Sequence, residues 1–314
     1  MHAIGVDIGG TKIAAGVVDE KGQILAQTRV STEPDDASSI DRAIAEVYRE
    51  LSKDYEIGAV GLAAAGFVSS DRTSVNFAPN IAWRDYPIAA RVGDLIGTDV
   101  PIVVENDANA AGWAEFRFGV GRDASDMLML TVGTGLGGAI IVGNQLVRGR
   151  WGVAAEVGHM RVVPSGHYCG CGHEGCWEQY ASGSALVRDA RAAAVARPRE
   201  AAHLLDLVDG KADDINGPLV TMAAQSGDPL SIELLAELGR WIGEGAASVA
   251  ALLDPELIVI GGGVGAAGDL LVKPAREAYG QALPARGHRP EARIDLAALG
   301  NEAGIVGAAD LARS

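Results

Sequence analysis

Basic residues are scarce in this chain, and their scarcity argues against nucleic-acid and membrane-surface partners. The 314 residues include 26 Lys and Arg against 41 Asp and Glu, which gives a net charge of −15. Proteins that bind the phosphate backbone usually present a basic face, and anionic lipid headgroups attract the same charge. We therefore expect neither a nucleic acid nor a membrane as a partner.

Long apolar runs and cysteines are also scarce. Glycine interrupts the longest apolar stretches well before the roughly 18 to 20 residues that a bilayer requires. Met1-His2-Ala3 leads directly into Ile4-Gly-Val-Asp7, without the charged and apolar segments of a signal peptide. The three cysteines are an odd number and cannot all form internal disulfides. These features together predict a cytoplasmic protein.

All three cysteines fall in one glycine-rich segment, Cys169-Gly-Cys171-Gly-His-Glu-Gly-Cys176. Thiolates grouped in this way can supply three of the tetrahedral positions that zinc prefers. The candidates for the fourth position are His159, His167 and His173. The alternative is that these are ordinary thiols in a turn, although isolated cysteines are usually buried among apolar residues.

Two carboxylates flank the cysteine segment. Glu156 precedes His159 in Glu156-Val-Gly-His159, and Glu178 follows Cys176 by two residues. A zinc site with four protein ligands is closed and therefore structural. We expect the metal to order the loop, which leaves Glu156, Glu178 and the unused edge of His159 to face a ligand.

Hydrophobic periodicity predicts alternating strands and helices. Strands are predicted at residues 3–7, 13–18, 23–32, 57–64, 101–105, 127–132, 137–142, 145–147 and 257–260, and helices at 39–54, 107–119 and 230–253. A pattern of strand, glycine turn, strand, short turn and strand begins near residue 3 and recurs near residue 127. This recurrence indicates an internal duplication, and therefore two related halves.

Glycine-rich turns follow three of the predicted strands. They are Gly9-Gly10-Thr11-Lys12, Gly133-Thr134-Gly135 and the run from Gly261 to Gly265. A P-loop or a dinucleotide-binding fingerprint would open a helix, whereas the first two turns lead into strands. Because exposed amides can hold an anion, we expect these two turns to bind a triphosphate and the third to contact a purine. The alternative is that the glycines only permit the positive φ angles of hairpins.

Two aspartates stand at strand ends, where a cleft would open. Asp7 ends the first strand, and Asp107 follows the strand at 101–105 in Asn106-Asp107-Ala-Asn109. We expect Asp7 to reach a phosphate-bound Mg²⁺ through water. Asp107 has two interpretations: it is a helix N-cap, or it is a general base for a hydroxyl that attacks a phosphate, with Asn106 orienting the same acceptor.

Five motifs resemble those of ROK-family sugar kinases across almost the whole chain. They are Asp7-x-Gly9-Gly10-Thr11-Lys12, Asn106-Asp107-x-Asn109, Thr131-Val-Gly-Thr-Gly-x-Gly137, Glu156-x-Gly-His159 and Cys169-x-Cys171-Gly-x-x-Gly-Cys176-x-Glu178. Residues 106–122 and 176–183 are most similar to bacterial ROK glucokinases. The resemblance implies an α/β, actin-like ATPase fold of two ribonuclease-H-like domains with a cleft between them, and usually a homodimer or homotetramer. We place a small N-terminal domain at 1–110 with a C-terminal helix at 302–314, and a large domain with the zinc loop at 111–301.

The resemblance also implies a reaction, the MgATP-dependent phosphorylation of glucose at its 6-hydroxyl. Asp107 matches the catalytic base. Positions that contact the sugar match Gly66, Asn80, Asn106, Asp107, Glu156, His159 and Glu178, and the ligands of a structural zinc match His159, Cys169, Cys171 and Cys176. The contacts expected for ATP and Mg²⁺ are Asp7, Gly9, Gly10, Thr11, Lys12, Gly133, Thr134, Gly135, Gly262 and Gly263.

Other functions stay open beside glucose phosphorylation. The sugar could be mannose, fructose or N-acetylmannosamine, because one loop can discriminate at the 2-position. A non-catalytic sugar sensor would use the same cleft, although it would not need Asp107. Some relatives are transcriptional repressors with a helix-turn-helix segment before the first strand, and here only a few residues precede that strand.

Overall fold

Strands and helices alternate along the chain in the computed structural model, which describes residues 1–10 and 12–313. The strands are β1 (His2–Ile8), β2 (Lys12–Val18), β3 (Ile24–Ser31), β4 (Ile57–Ala64), β5 (Phe67–Val68), β6 (Val75–Phe77), β7 (Arg84–Tyr86), β8 (Ile102–Asn106), β9 (Met127–Val132), β10 (Leu136–Val142), β11 (Gln145–Leu146), β12 (Leu257–Gly261) and β13 (Arg293–Leu296).

The helices are distributed over both halves of the chain. They are α1 (Ala37–Leu51), α2 (Ile88–Ile96), α3 (Asp107–Phe118), α4 (Gly183–Ala196), α5 (Ala202–Asp206), α6 (Gly217–Gln225), α7 (Pro229–Leu253), α8 (Asp269–Ala282) and α9 (Ala303–Ala312). Within the described ranges, no helix combines the length and the apolar character that crossing a bilayer requires.

The first five-stranded sheet has the order β3-β2-β1-β4-β8. β1 and β3 pair antiparallel with β2, whereas β4 runs parallel to both β1 and β8. β4 is apolar and buried along almost its whole length, as expected of a strand that is covered on both faces. The residues of α1 and α2 pack on one face of this sheet, and those of α3 and α9 on the other.

The second five-stranded sheet has the order β11-β10-β9-β12-β13. When the strands are numbered in chain order within each sheet, both sheets have the same order, with the first strand at the centre and the fourth and fifth beyond it. β12 is parallel to β9 and β13, as β4 is to β1 and β8. The internal duplication is therefore confirmed, and so is the actin-like fold built from two ribonuclease-H-like halves.

The chain divides into two compact units. Unit 1 contains Met1–Asp123, Ala139–Ala155 and Ala298–Ser314, and unit 2 contains Ala124–Gly138 and Glu156–Ala297. The domain boundaries at 110/111 and 301/302 stay a prediction.

Side-chain caps explain where several helices begin. α1 starts two residues before the predicted position, because the Asp36 carboxylate accepts the N–H groups of Ser38 and Ser39 at 2.9 and 3.1 Å. α7 starts at Pro229 because Asp228 accepts the Ser231 N–H at 2.8 Å, and proline is well tolerated in the first turn. The strands predicted at 57–64 and 127–132 have the predicted ends.

Several elements were not predicted from the sequence. A small antiparallel sheet, β5-β6-β7, lies between β4 and α2 in the chain, and its strands have only two or three residues. α4 and α6 were also missed, although each has a recognisable start. Ser182 caps α4, and Asn216, followed by Gly217-Pro218, caps α6.

Glycines let α9 approach the first sheet at backbone distance. A methyl group on Gly61 of β4 would collide with the Ala308 carbonyl group of α9, and one on Gly307 would collide with the Ala110 carbonyl group of α3. α9 is buried along almost its whole length and apolar except for Asp310, whose Oδ2 accepts the Trp113 Nε1–H at 2.9 Å, as expected of a helix buried on all sides. The close packing of α9 depends on hydrogen atoms at these two positions.

Gly61→Ala should therefore destabilise the protein. Overpacking at a backbone contact typically costs about 1–3 kcal/mol, because the strand and helix must move apart. Denaturant unfolding at constant pH measures this loss.

Gly93→Ala is the matched control in unit 1. Its added methyl group would meet only the Ile102 Cδ1 atom at 3.7 Å, in ordinary contact. Because alanine favours a helix interior over glycine by up to about 1 kcal/mol, this variant should be as stable as the wild type or more stable. Equal stability of Gly61→Ala and Gly93→Ala would contradict the packing argument.

Candidate functional site

Polar residues of unit 1 collect at one edge of the first sheet. In the parallel register Asp7 of β1 is aligned with Ala63 of β4, and Ala63 with Glu105 of β8. Since neighbouring strands are about 4.8 Å apart, the Cα atoms of Asp7 and Glu105 are roughly 10 Å apart. Asp107 follows two residues after Glu105, so both predicted aspartates lie at the carboxyl ends of parallel strands.

The Asp7 carboxyl group is largely enclosed by protein. A methyl group on Gly304, at the start of α9, would lie 3.1 Å from its carboxyl carbon. Burial raises the pKa of Asp7 above its ordinary value, and the Lys12 ammonium partly opposes this shift. The ionised carboxylate that could bind a cation therefore lowers the free energy of unfolding relative to the protonated form.

The glycine turn after β1 is closed by its own backbone. The Gly9 N–H donates to the Lys12 carbonyl oxygen at 3.0 Å, so this amide is used inside the turn. Gly10 lies beside Asn80, since a methyl group on Gly10 would be 3.4 Å from the Asn80 carbonyl oxygen. Thr11, also expected in this turn, lies outside the described residues.

Asn106, rather than Asp107, caps α3. Its Oδ1 accepts the Asn109 N–H at 3.0 Å, and its Nδ2 donates to the Gly66 carbonyl oxygen at 3.2 Å. Asp107 is the first helical residue, and its Oδ1 accepts the Ala108 N–H at 2.9 Å. The N-cap interpretation of Asp107 was therefore wrong, because the preceding asparagine satisfies that position.

Four potential metal ligands meet in unit 2. The ligand atoms of His159, Cys169, Cys171 and Cys176 all lie within 4.8 Å of one another. Short 3-10 turns at Val157–His159 and Trp177–Gln179 hold the two ends of the segment. Three thiols and an imidazole at these separations fit a closed tetrahedral metal site.

His159 is the histidine that joins the thiols. Its Nδ1 lies 3.7 Å from the Cys169 Sγ, whereas the ring of His167 packs on Tyr180 at 5.3 Å between centroids. Burial raises the pKa of the Cys169 and Cys176 thiols, so their deprotonation there requires a compensating cation.

Glu178 and Glu156 adjoin the same cluster. The Glu178 Oε1 lies 3.0 Å from the Cys169 Sγ and 4.0 Å from the His159 Nδ1. The pKa of Glu156 is raised by partial desolvation, against the influence of His159, and the Glu178 carboxylate adds to the increase. Two carboxylates and an imidazole thus lie within reach of each other's charges, an arrangement suited to a polyhydroxylated ligand.

A cavity of about 1030 Å³ opens beside the glycine turns of unit 2. Gly133, Thr134 and Gly263 line it, as expected for a nucleotide site. The Gly133 N–H donates to the Gly135 carbonyl oxygen at 3.0 Å and so closes the turn. A methyl group on Gly262, whose φ is +84°, would collide with the Val132 carbonyl group. Gly135 and Gly262 therefore shape the turns, and neither is among the residues that line this cavity.

The other walls of this cavity were missed in the sequence. α4 and α6 and the turn after β12 supply Ser184, Val187, Arg188, Arg191, Pro218, Thr221, Met222, Gln225, Val264 and Ala266. These residues form no compact motif, because they come from separate helices. The capping residues at the starts of α4 and α6 were the available signal.

Comparison with known proteins identifies the family. A sequence model of the ROK family matches residues 3–314. The chain belongs to the ROK family. Among related proteins, a glucokinase of Streptomyces coelicolor is 52% identical over 310 residues, which cover 99% of this chain and 97% of that protein. An N-acetylmannosamine kinase of Yersinia pseudotuberculosis is 32% identical over 272 residues, 84% of this chain and 83% of the other.

A solved ROK structure is similar over the full length. The crystal structure of a ROK family glucokinase from Streptomyces griseus in complex with glucose and AMPPNP is 52% identical and has a TM-score of 0.90. The match covers 100% of this chain and 99% of that one.

Asp7→Asn should stabilise this ROK protein in the absence of ligands at neutral pH. The raised pKa means that the folded state binds the Asp7 proton more tightly than the unfolded state does. The wild type therefore gains stability as the pH falls through the raised pKa, and the advantage of the variant shrinks. At neutral pH we expect a Tm increase on the order of 1–3 °C, measured by calorimetry.

Asp94→Asn, on the exposed face of α2, is the control and should leave the Tm unchanged. A lower Tm for Asp7→Asn at neutral pH would contradict the assignment of Asp7 as a desolvated carboxylate.

Proposed function

We propose that this protein is a glucokinase that transfers the γ-phosphoryl group of ATP to the 6-hydroxyl of glucose. The observation that carries the proposal is the position of Asp107, in Asn106-Asp107-x-Asn109, as the first helical residue directly after β8. The full-length similarity to the glucose-bound glucokinase of Streptomyces griseus supports the same substrates.

Asp107 is the general base in this proposal. Its carboxylate takes the proton of the 6-hydroxyl as the hydroxyl oxygen forms a bond to the γ-phosphorus, and the bond to the bridging oxygen breaks to release ADP. Such transfers depend mainly on positioning and charge neutralisation, so a strong base is unnecessary. Asn106 orients the same hydroxyl, with Gly66 and Asn80 as weaker contacts.

Glu156, His159 and Glu178 hold the other hydroxyls. The two carboxylates accept hydrogen bonds from adjacent hydroxyl groups. The His159 Nδ1 faces the Cys169 thiol, which leaves its other ring nitrogen for the sugar. A sugar that lacks one hydroxyl would leave one of these polar groups without its hydrogen bond in the complex, so the site favours the complete hexose.

The cavity of unit 2 binds the nucleotide. Its apolar walls and the turn at Gly262-Gly263 suit a purine, and the turn at Gly133-Thr134-Gly135 brings the backbone to the phosphates. Gly9, Gly10, Thr11 and Lys12 supply further contacts to the phosphates. Asp7 holds Mg²⁺ through water, and the ion neutralises phosphate charge when it is bound.

The metal held by His159, Cys169, Cys171 and Cys176 is a structural zinc. Three sulfur ligands and one imidazole suit zinc and occupy all four of its positions. The ion orders the segment that carries Glu178. A homodimer or homotetramer and a cytoplasmic location stay predictions.

Glucose should make ADP release from MgATP much faster in a coupled assay. We expect kcat/KM for glucose to be higher than kcat/KM for mannose, fructose or N-acetylmannosamine. A higher kcat/KM for N-acetylmannosamine would change the substrate that we assign but not the assignment as a kinase. No phosphoryl transfer with any hexose or phosphoryl donor would instead favour a sugar sensor.

Asp107→Asn tests the base in the same assay. Loss of a general base typically lowers turnover by about 10²–10⁴-fold, and the amide keeps the shape of the side chain. Glucose binding, measured by calorimetry, should change little. Asp94→Asn is the matched control and should keep full turnover. Retained turnover in Asp107→Asn would remove the proposed role.

Purified protein should contain close to one zinc ion per chain. His159→Gln should lower zinc affinity and Tm, because it removes one ligand. His173→Gln is the control, since this exposed residue lies in the same segment but outside the cluster. Metal analysis with a thermal melt measures both. Equal zinc loss in the two variants, or active wild type with well under half an equivalent, would contradict the assignment.

A further inference from the structure

Glu105, immediately before Asn106-Asp107, is a buried carboxylate held by two arginines. Its side chain is 4% exposed, and its Oε2 lies 2.7 Å from the Arg148 Nε and 3.6 Å from the Arg72 Nε. Arg148 follows β11, and Arg72 lies between β5 and β6. Three separate segments of unit 1 therefore meet at the end of β8.

The other oxygen of Glu105 binds the turn that carries Asp107. Glu105 Oε1 accepts the Asn106 N–H at 3.2 Å and the Asn109 Nδ2 at 3.1 Å. Asn109 is itself buried, with 2% exposure. The carboxylate thus contacts the residues on both sides of Asp107, one on the strand and one in the first turn of α3.

The fold alone does not require this ion pair. α3 already has a complete N-cap in Asn106. Buried ion pairs can often be replaced by apolar residues of similar volume without loss of stability, because removing charges from water is costly. A charged cluster at this point therefore needs an explanation beyond the start of the helix.

Arg72 has a strained backbone in the turn between β5 and β6. Its φ is +60°, the left-handed region that side chains other than glycine rarely adopt. Its carbonyl oxygen accepts the Val104 N–H at 2.9 Å, and its Nη2 donates to the Leu311 carbonyl oxygen at 3.0 Å. Burial lowers the pKa of Arg72, the nearby Arg148 lowers it further, and Glu105 opposes both. The backbone strain and the desolvation of Arg72 thus occur next to the Asn106-Asp107 turn.

We propose that Glu105, tied by Arg148 and Arg72, is a positioning residue that fixes the orientation of the Asn106-Asp107 turn for phosphoryl transfer. This inference rests on the proposed function. The arginines hold Oε2, so that Oε1 stays aligned with Asn106 and Asn109. A displacement of about 1 Å in a reacting group can reduce the rate by about 10²-fold, so a precise anchor affects turnover more than binding.

The test compares turnover with glucose affinity in Glu105→Gln and Arg148→Met. Glutamine keeps an acceptor for Asn106 and Asn109 but loses the charge that the arginines hold. We expect kcat to fall by roughly 10- to 100-fold in each variant, with the glucose Kd from calorimetry changed by less than about threefold. The double variant should be no slower than the slower single variant, because both changes break the same contact.

Arg148→Lys and Arg91→Met supply the controls. Lysine keeps the charge without the planar fork, so Arg148→Lys should recover part of the kcat that Arg148→Met loses. Arg91 pairs with the buried Asp41 at 2.7 Å elsewhere in unit 1, and Arg91→Met should lower Tm while kcat stays unchanged. If Arg148→Met does not fold, Arg148→Lys carries the comparison, with lower kcat expected at nearly wild-type Tm.

Unchanged kcat in Glu105→Gln and Arg148→Lys would overturn the positioning role. So would a parallel fall of kcat, glucose affinity and Tm, which would indicate damage to the fold. A wild type without glucose-dependent ADP release would instead overturn the proposed function, and this inference with it.

Discussion

The parallel pairing of β1, β4 and β8 determines where the polar groups of unit 1 lie. Because the three strands end at the same edge, the register brings Asp7 and Glu105 into one row and places Asn106 and Asp107 just beyond it. This arrangement depends in turn on α9, whose backbone contacts with Gly61 and α3 cover the face of the sheet on which Glu105 and Asp7 project. A change in the sheet register would move every one of these side chains.

Buried carboxylates anchor α3 at both of its ends. Glu105 binds the first turn through Asn106 and Asn109. Glu115 near the other end is fully buried, and its two oxygens accept the N–H groups of Leu299 at 2.7 Å and Val120 at 3.2 Å. Backbone donors satisfy Glu115, whereas arginines and the helix start satisfy Glu105. The contacts of Glu115 join separate chain segments. Those of Glu105 concentrate charge beside Asp107, the residue to which we assign the chemistry.

The sequence predicted what is local and missed what is assembled from distant segments. The strands at 57–64 and 127–132 were correct because continuous apolar runs identify central strands. The cysteine cluster was visible because its ligands are close in sequence. The N-cap interpretation of Asp107 failed because an asparagine one residue earlier competes for the same position. Neither Arg148 nor the helical walls of the unit 2 cavity had a motif, since their partners are remote in sequence, and Thr11 lies outside the described residues.

The orientation of His159 has a consequence for the chemistry of recognition. A metal ion held at Nδ1 would occupy the lone pair of that nitrogen, and the remaining proton of the neutral ring would then be on Nε2. In this tautomer the free edge of the imidazole can only donate a hydrogen bond. Glu156 and Glu178, when ionised, can only accept. The metal would thus give the polar residues around it a fixed pattern of one donor and two acceptors, and a ligand must match that pattern with an oxygen that accepts and hydroxyls that donate.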